Sequence, residues 1–239
     1  MTGDAPFDPM VPFLTVLGPA EEVGQGFSLL SGHYALDRFG PECFAELGVE
    51  LPVSLHLAAP RRQAEYLAGR AVAGRLLQAV GAGAAQVGYG ADRLPIWPAG
   101  YRGSISHARG HVVSLARRGA DHHAGVDVEA LLTGKSLSAV LRKAVLAADL
   151  AQLAGEVTAA DATAIFSAKE ALFKALYPMV QRWFGFEAAE LAAPPAEDRL
   201  LLRLTGDLTG DLRAGQVFDV HLRRRADHVI SWVIVPARP

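Results

Sequence analysis

Residues 125–129 read Gly-Val-Asp-Val-Glu and have the alternation of a short β-strand. Because successive side chains of a strand point to opposite faces, Asp127 and Glu129 share one face, while Val126 and Val128 enter the core. Two neighbouring carboxylates repel each other unless a cation lies between them, and oxygen ligands with an incomplete shell suit Mg²⁺. Taken alone, the motif favours an ordinary solvated strand face, because short patterns often match by chance.

Residues 166–174 read Phe-Ser-Ala-Lys-Glu-Ala-Leu-Phe-Lys and predict part of a long helix. They place Glu170 and Lys174 one helical turn apart, a spacing that ordinarily gives only surface support. Apolar side chains cover much of this helix, so we expect Glu170 at a packed edge where its charge needs a partner. A metal ion would be such a partner.

The segments around these motifs predict two similar halves, each a long helix followed by strands. One long helix is predicted over 61–80, and a helical region over 138–153 precedes the second, which begins with a capping box of Thr158 and Asp161 and ends at Pro178. Strands are predicted at 12–17, 53–57, 112–116, 125–128, 200–205, 217–222 and 229–235. The strands 112–116 and 125–128 suggest a hairpin or neighbouring strands, and the last three suggest an antiparallel meander. The sequence therefore predicts an α+β fold with halves 1–120 and 121–239.

Composition excludes several classes of protein. The 239 residues include 25 acidic and 23 basic side chains, a balance that gives no electrostatic footprint for nucleic-acid binding. The lone Cys43 cannot form an internal disulfide, which favours a reducing compartment. The first residues lack the pattern of a signal peptide, and no apolar stretch reaches the roughly 18 residues of a membrane span. We therefore expect a cytoplasmic protein.

Two further motifs lie in the first predicted half, after its long helix. Residues 93–98 read Arg-Leu-Pro-Ile-Trp-Pro, and residues 103–107 read Gly-Ser-Ile-Ser-His. Glycine permits backbone amides to approach an anion closely, although a lone histidine such as His107 is more often structural. Arg62, Arg70 and Arg93 are each ordinary surface residues when taken singly. These segments suggest an anion site only in combination.

Taken in order, these four motifs resemble those of the 4'-phosphopantetheinyl transferases. The likeness is greatest to the branch that contains the enterobactin synthase component of siderophore assembly and the actinobacterial type II enzymes. Residues 62–70 (RQAEYLAGR) and 177–187 (YPMVQRWFGFE) are also similar to that branch, so the resemblance covers roughly residues 60–190. It implies a pseudo-twofold protein whose halves each pack a long helix on a small antiparallel sheet, with coenzyme A and Mg²⁺ in the cleft between them.

The resemblance also implies roles for individual residues. Asp127 and Glu129 would be metal ligands, joined by Glu170 directly or through water. The basic and polar residues would bind the phosphates and the adenine end of coenzyme A: Lys169 and Lys174 at the pyrophosphate, Arg62, Arg70 and Arg93 at the nucleotide, and Ser106 with His107 at the 3'-phosphate. Lys174 would assist the leaving group, and Glu170 or a metal-bound water would take the proton of the acceptor.

The implied reaction transfers the 4'-phosphopantetheine arm of coenzyme A to a serine of an apo acyl or peptidyl carrier protein and releases 3',5'-ADP. Two alternatives stay open. The chain could bind coenzyme A or a carrier without turnover, or it could be a Mg²⁺-dependent pyrophosphate hydrolase. We expect a monomer without nucleic-acid or membrane partners, and the resemblance favours carriers of siderophore assembly and secondary metabolism.

Overall fold

The computed structural model describes residues 9–90, 94–153 and 155–237. The chain divides into two compact units, Met1–Gly119 and Ala120–Pro239. Each unit contains an antiparallel sheet with a long helix packed against it, which confirms the predicted α+β class. None of the described helices has the length and apolar character needed to cross a bilayer.

The first unit is organised around one long helix on a sheet of strand order β1-β2-β3-β7-β6. Its elements are β1 (Pro9–Val11), β2 (Leu14–Gly24), β3 (Phe27–Tyr34), α1 (Cys43–Glu46), α2 (Pro60–Ala79), β4 (Gly88–Tyr89), β5 (Pro95–Ile96), β6 (Tyr101–Ala108) and β7 (His111–Arg118). Helix α2 begins with Pro60, whose missing amide donor costs nothing in the first turn. Its fully buried Leu67, Val72 and Leu76 pack against β3 and β7.

Strands β6 and β7 are joined by the two-residue turn Arg109-Gly110. Both residues have positive φ, 46° and 90°, as a two-residue hairpin requires. The turn fixes the register in which Ala108 pairs with His111 and His107 with Val112. It thereby positions the Ser106-His107 pair near the end of β6.

The second unit packs one long helix on a sheet of strand order β8-β12-β11-β10-β9. Its elements are β8 (His122–Ala130), α3 (Gly134–Lys143), α4 (Ala147–Ala151), α5 (Ala159–Val180), β9 (Ala189–Leu191), β10 (Arg199–Leu204), β11 (Val217–Arg224) and β12 (His228–Pro236). Helix α5 packs mainly on β8 and β12, and buried apolar side chains of α5, β10, β11 and β12 form one core cluster.

Helix α5 approaches β8 closely because Gly125 has no side chain. A Cβ atom at Gly125 would collide with the carbonyl oxygen of Ala171 and lie 2.7 Å from the amide nitrogen of Ala175. A buried hydrogen bond of 2.7 Å between the hydroxyls of Ser167 and Ser231 joins α5 to β12. The two contacts fix the face of α5 that meets the sheet.

Several predicted elements are confirmed. The first long helix is α2, and α5 begins with the capping box in which Asp161 N donates to Thr158 Oγ1 over 3.1 Å. The last three predicted strands are β10, β11 and β12, which pair antiparallel in that order.

Other predicted elements were wrong. Residues 53–57 form no strand; Val53–Leu55 is a 3₁₀ turn in which Leu55 is buried in the core of the first unit, while Val53 and Leu57 are exposed. Strands β7 and β8 are neighbours in sequence but belong to different sheets. The helical region predicted over 138–153 is confirmed in part, because it contains the end of α3 and all of α4, with non-helical residues at 144–146 between them. Pro178 lies inside α5, where it removes one donor near the end; the helix ends at Val180 because Gln181 adopts a left-handed conformation with φ of 53°.

Candidate active site

Asp127 lies on the face of β8 that α5 covers. It is opposite Ser231 in the register of β8 and β12, and Ser231 bonds to Ser167 of α5. The Asp127 side chain is only 4% exposed. Glu129 follows two positions along the same strand and is half-buried. Val126 and Val128 are buried too, but outside the core cluster that packs on α5.

Lys174 brings a positive charge to Asp127. Its Nζ donates to Asp127 Oδ1 over 2.7 Å and to the carbonyl oxygen of Val126 over 3.0 Å. The second contact orients the ammonium independently of the carboxylate. The close packing of α5 on β8 makes both contacts possible, since Lys174 is three residues beyond Ala171, the residue opposite Gly125.

Glu170 is half-buried on α5, one turn before Lys174. Burial raises the pKa of its carboxyl group above the ordinary value of 4.5, the negative charge of Asp127 raises it further, and Lys174 opposes the shift. Glu170 and Asp127 therefore repel each other across the contact of α5 with β8. The half-buried position of Glu170 agrees with the packed edge that the sequence predicts.

The chemistry of this donor set suits Mg²⁺. Asp127 and Glu129 offer carboxylate oxygens from one strand face, and Glu170 offers a third carboxylate whose ionisation is disfavoured by burial and by the charge of Asp127. A divalent cation would reverse that penalty, and an oxygen-only set with room for water is what Mg²⁺ prefers. These three residues would hold the ion.

A cavity of about 130 Å³ opens beside Glu170. Its walls come from α5 and from the segment that follows it, and they are mostly apolar, with four aromatic side chains: Lys169, Glu170, Leu172, Phe173, Trp183, Phe184, Gly185, Phe186 and Ala189. Trp183 is 75% exposed at this cavity. The arrangement offers an apolar chamber with a carboxylate at its edge.

Lys169 does not occupy the position expected of a pyrophosphate ligand. Its side chain is 2% exposed, and its Nζ donates to Asp149 Oδ2 over 2.6 Å and to the carbonyl oxygen of Ala144 over 2.9 Å. Burial lowers the pKa of the ammonium, and the hydrogen bond to Asp149 opposes that shift. The lysine is committed to a buried ion pair because its side of α5 faces α4 and β9 rather than Asp127.

In the first unit, Glu65 lies close to Arg61, Arg62 and His107. Arg61 Nε donates to Glu65 Oε1 over 3.0 Å, while Arg62 Nη1 and His107 Nδ1 each lie 3.9 Å from Glu65 Oε2. Helix α2 and strand β6 thus bring Arg62 and His107 to the same carboxylate. Ser106, one position before His107, is 7% exposed.

Arg70 is held by aromatic rings instead of lying free at the surface. Its guanidinium carbon lies 4.8 Å from the ring centroid of Tyr66 and 5.9 Å from that of Tyr89, and Nη2 donates to the carbonyl oxygen of Gly88 over 3.1 Å. Burial lowers its pKa. Arg93, predicted at the nucleotide, lies outside the described residues.

The sequence interpretation missed Asp149, Glu65 and the contact of Arg70 with the rings of Tyr66 and Tyr89. No Ser or Thr at the N-cap of α4 marks Asp149 as part of a capping box, because Leu146 occupies that position. The Arg61–Glu65 pair has helical i,i+4 spacing and was recognisable from that alone. The distant Tyr89 gives no local signal toward Arg70.

Comparisons with known proteins agree with these motifs. Residues 52–117 match the family model of the 4'-phosphopantetheinyl transferase N-terminal domain, and residues 124–233 match that of the 4'-phosphopantetheinyl transferase superfamily. The chain is 32% identical to enterobactin synthase component D of Salmonella typhi over 58% of each chain, and 32% identical to the 4'-phosphopantetheinyl transferase PptT of Mycobacterium tuberculosis over 63% of this chain and 66% of the relative. It thus spans less than two thirds of the length of either relative. Enterobactin synthase component D of Escherichia coli O157:H7 is 32% identical over 58% of this chain and 68% of its own length. The chain therefore belongs to the 4'-phosphopantetheinyl transferase superfamily.

Proposed function

We propose that this protein transfers the 4'-phosphopantetheine arm of coenzyme A to a serine of an apo carrier protein. The observation that carries the proposal is the meeting of α5 with β8, where Lys174 binds Asp127 and where burial and the charge of Asp127 raise the pKa of Glu170. Membership of the superfamily supports the same reaction. The relatives named enterobactin synthase component D favour carriers of siderophore assembly as the first acceptors to test.

The proposed reaction is a phosphoryl transfer. The serine oxygen forms a bond to the β-phosphorus of coenzyme A, the bond to the bridging oxygen breaks, and 3',5'-ADP leaves with that oxygen. Such transfers depend on positioning and on stabilising charge more than on covalent participation by the protein. When bound by Asp127, Glu129 and Glu170, Mg²⁺ supplies positive charge to the pyrophosphate.

Two residues of α5 would handle protons and charge. Glu170 would accept the proton of the serine hydroxyl, because an ionised carboxylate can act as a general base. Lys174 would place its ammonium on the leaving phosphate while its hydrogen bond to the carbonyl oxygen of Val126 keeps it oriented. Both groups project from the same side of one helix, four residues apart.

The coenzyme would be bound by basic and polar side chains at its phosphates and by apolar side chains along its arm. Arg62, Arg70, Ser106 and His107 would take the nucleotide phosphates, because arginine forms bidentate hydrogen bonds with phosphate oxygens. Arg93 remains a proposed member of this set. Lys169 is omitted, because its ammonium is buried against Asp149. The apolar cavity beside Glu170 suits the uncharged pantetheine arm.

One assay separates this function from its alternatives. The protein is incubated with coenzyme A, Mg²⁺ and an apo carrier, and the mass of the carrier is measured together with the remaining coenzyme A. Transfer adds one phosphopantetheinyl group to the carrier and forms 3',5'-ADP. A binding protein changes neither quantity, whereas a hydrolase consumes coenzyme A without changing the carrier; either result would refute the proposal.

A further inference from the structure

Asp149 is a completely buried carboxylate that joins three segments of the second unit. Oδ1 accepts a hydrogen bond of 2.7 Å from the amide of Leu191, and Oδ2 accepts one of 2.7 Å from the amide of Leu146. Oδ2 also pairs with Lys169 Nζ at 2.6 Å, and both side chains of this pair are at most 2% exposed. A single side chain thus links the start of α4, the strand β9 and the helix α5.

Two of these links reach the walls of the cavity beside Glu170. Lys169 lies on α5 immediately before Glu170, and both residues line the cavity. Leu191 ends β9, and Ala189, at the start of the same three-residue strand, lines the cavity together with Trp183–Phe186. Asp149 therefore bonds to the helix that forms one wall and to the strand that anchors the other.

Stability alone gives little reason for this ion pair. Replacing a buried ion pair with apolar residues of similar volume is often neutral or stabilising, although removal of one partner is strongly destabilising. Strand β9 is also the last strand of its sheet, paired on one side with β10, so it depends on contacts outside the sheet for its position. A carboxylate that accepts from an amide of this edge strand and from a lysine of α5 is suited to holding the two at a fixed separation.

We propose that Asp149 is a positioning residue that sets the width of the cavity beside Glu170. Lys169 is then its buried counter-ion rather than a pyrophosphate ligand. The kinetic part of this inference rests on the proposed function, because it assumes that the pantetheine arm occupies the cavity. The structural part concerns only the attachment of residues 183–191 to α5.

The test compares Asp149→Asn, Lys169→Met and the double variant with the wild-type protein. Asp161→Asn is the matched control, since Asp161 caps the N-terminus of the same helix nine residues before Glu170. Hydrogen exchange of peptides covering 183–191 measures the attachment of the wall without any substrate. Transfer assays measure KM for coenzyme A and kcat separately.

In Asp149→Asn and in the double variant, we expect hydrogen exchange over 183–191 to be about tenfold faster than in the wild-type protein. We also expect both variants to raise KM for coenzyme A about tenfold, with kcat within about threefold of wild type. Each tenfold change corresponds to about 1.4 kcal/mol. Lys169→Met should raise KM in the same way. Asp161→Asn should lower the melting temperature without changing either readout. If Asp149→Asn does not fold, the double variant carries the test, because it contains neither buried charge.

Two results overturn the inference. Unchanged exchange over 183–191 in the double variant would show that Asp149 does not anchor the wall. A hundredfold loss of kcat in both Lys169→Met and the double variant, with wild-type KM, would identify Lys169 as a ligand of the reacting phosphates. If the wild-type protein transfers nothing, the proposed function is wrong, and the exchange data still decide the role of Asp149.

Discussion

Lys174 Nζ lies 2.7 Å from Asp127 Oδ1, so the proposed metal ligand is paired with the lysine proposed to act on the leaving phosphate. The lysine keeps a second hydrogen bond of 3.0 Å to the carbonyl oxygen of Val126. This second contact would hold the ammonium in place if Asp127 bound a metal ion instead of Lys174. The pair lies at the contact of α5 with β8, beside the acidic cluster that we define as Asp127, Glu129 and Glu170.

Asp127→Asn should lower the rate of transfer at least about 100-fold, because the amide keeps the shape of the carboxylate but loses the charge that binds Mg²⁺. Saturating Mg²⁺ should raise the melting temperature of the wild-type protein and leave that of the variant unchanged. Calorimetry with and without Mg²⁺ measures this. Asp219→Asn, on an exposed strand position of the same unit, is the control; an Asp127→Asn variant with wild-type activity would contradict the ligand assignment.

Glu170→Gln should make the metal-free protein more stable while removing activity. Because the folded-state pKa of Glu170 is raised, the folded state binds the proton more tightly than the unfolded state. Its contribution to stability is present below pH 4.5 and is lost as the pH rises through the folded pKa. At pH 7.5 we expect the variant to melt about 2 °C higher. The difference should vanish in acid; thermal scans across pH with Glu156→Gln as control would show whether it does.

Gly125→Ala should destabilise the protein by about 3 kcal/mol or more, because its Cβ has no space between β8 and α5. The neighbour is backbone of Ala171 and Ala175, which cannot rotate away as a side chain would. Urea denaturation measures the loss. Gly206→Ala introduces the same methyl group where no atom lies within 4 Å, so it should be nearly neutral. Equal stability of the two variants would show that α5 lies farther from β8.

Arg62→Ala should raise KM for coenzyme A about tenfold with little change in kcat, because the proposed contact of its guanidinium is with a phosphate remote from the reacting bond. The rise should shrink at high salt as charge contacts are screened. Arg75→Ala removes an exposed arginine from the same helix and serves as the control. Equal KM values for the two variants would remove Arg62 from the nucleotide site.

Local patterns predicted the site helix and the acidic strand because each depends on neighbours in sequence. The capping box of Thr158 and Asp161 marks the start of α5, and the alternation at 125–129 puts Asp127 and Glu129 on one face. The sequence could not place Lys169, whose partner Asp149 is 20 residues away and belongs to another helix.

Helical geometry nevertheless separates the two lysines of α5. Lys169 and Lys174 are five residues apart, which turns their side chains about 140° from each other. The lysine facing β8 pairs with Asp127, and the other is buried against Asp149. The failed strand at 53–57 shows a limit of local patterns, because the alternating apolar residues there form a 3₁₀ turn that buries Leu55 and leaves Val53 and Leu57 exposed.

The acidic cluster and Lys174 belong entirely to the unit Ala120–Pro239, whereas Arg62, Arg70, Ser106 and His107 belong to the unit Met1–Gly119. Each unit has its own hydrophobic core. Under the proposed function, mutations that alter which donor is preferred would accumulate in one unit while the proposed ion-dependent chemistry stays under separate selection in the other. Such a division would let a lineage diversify its donor preference without rebuilding its catalyst.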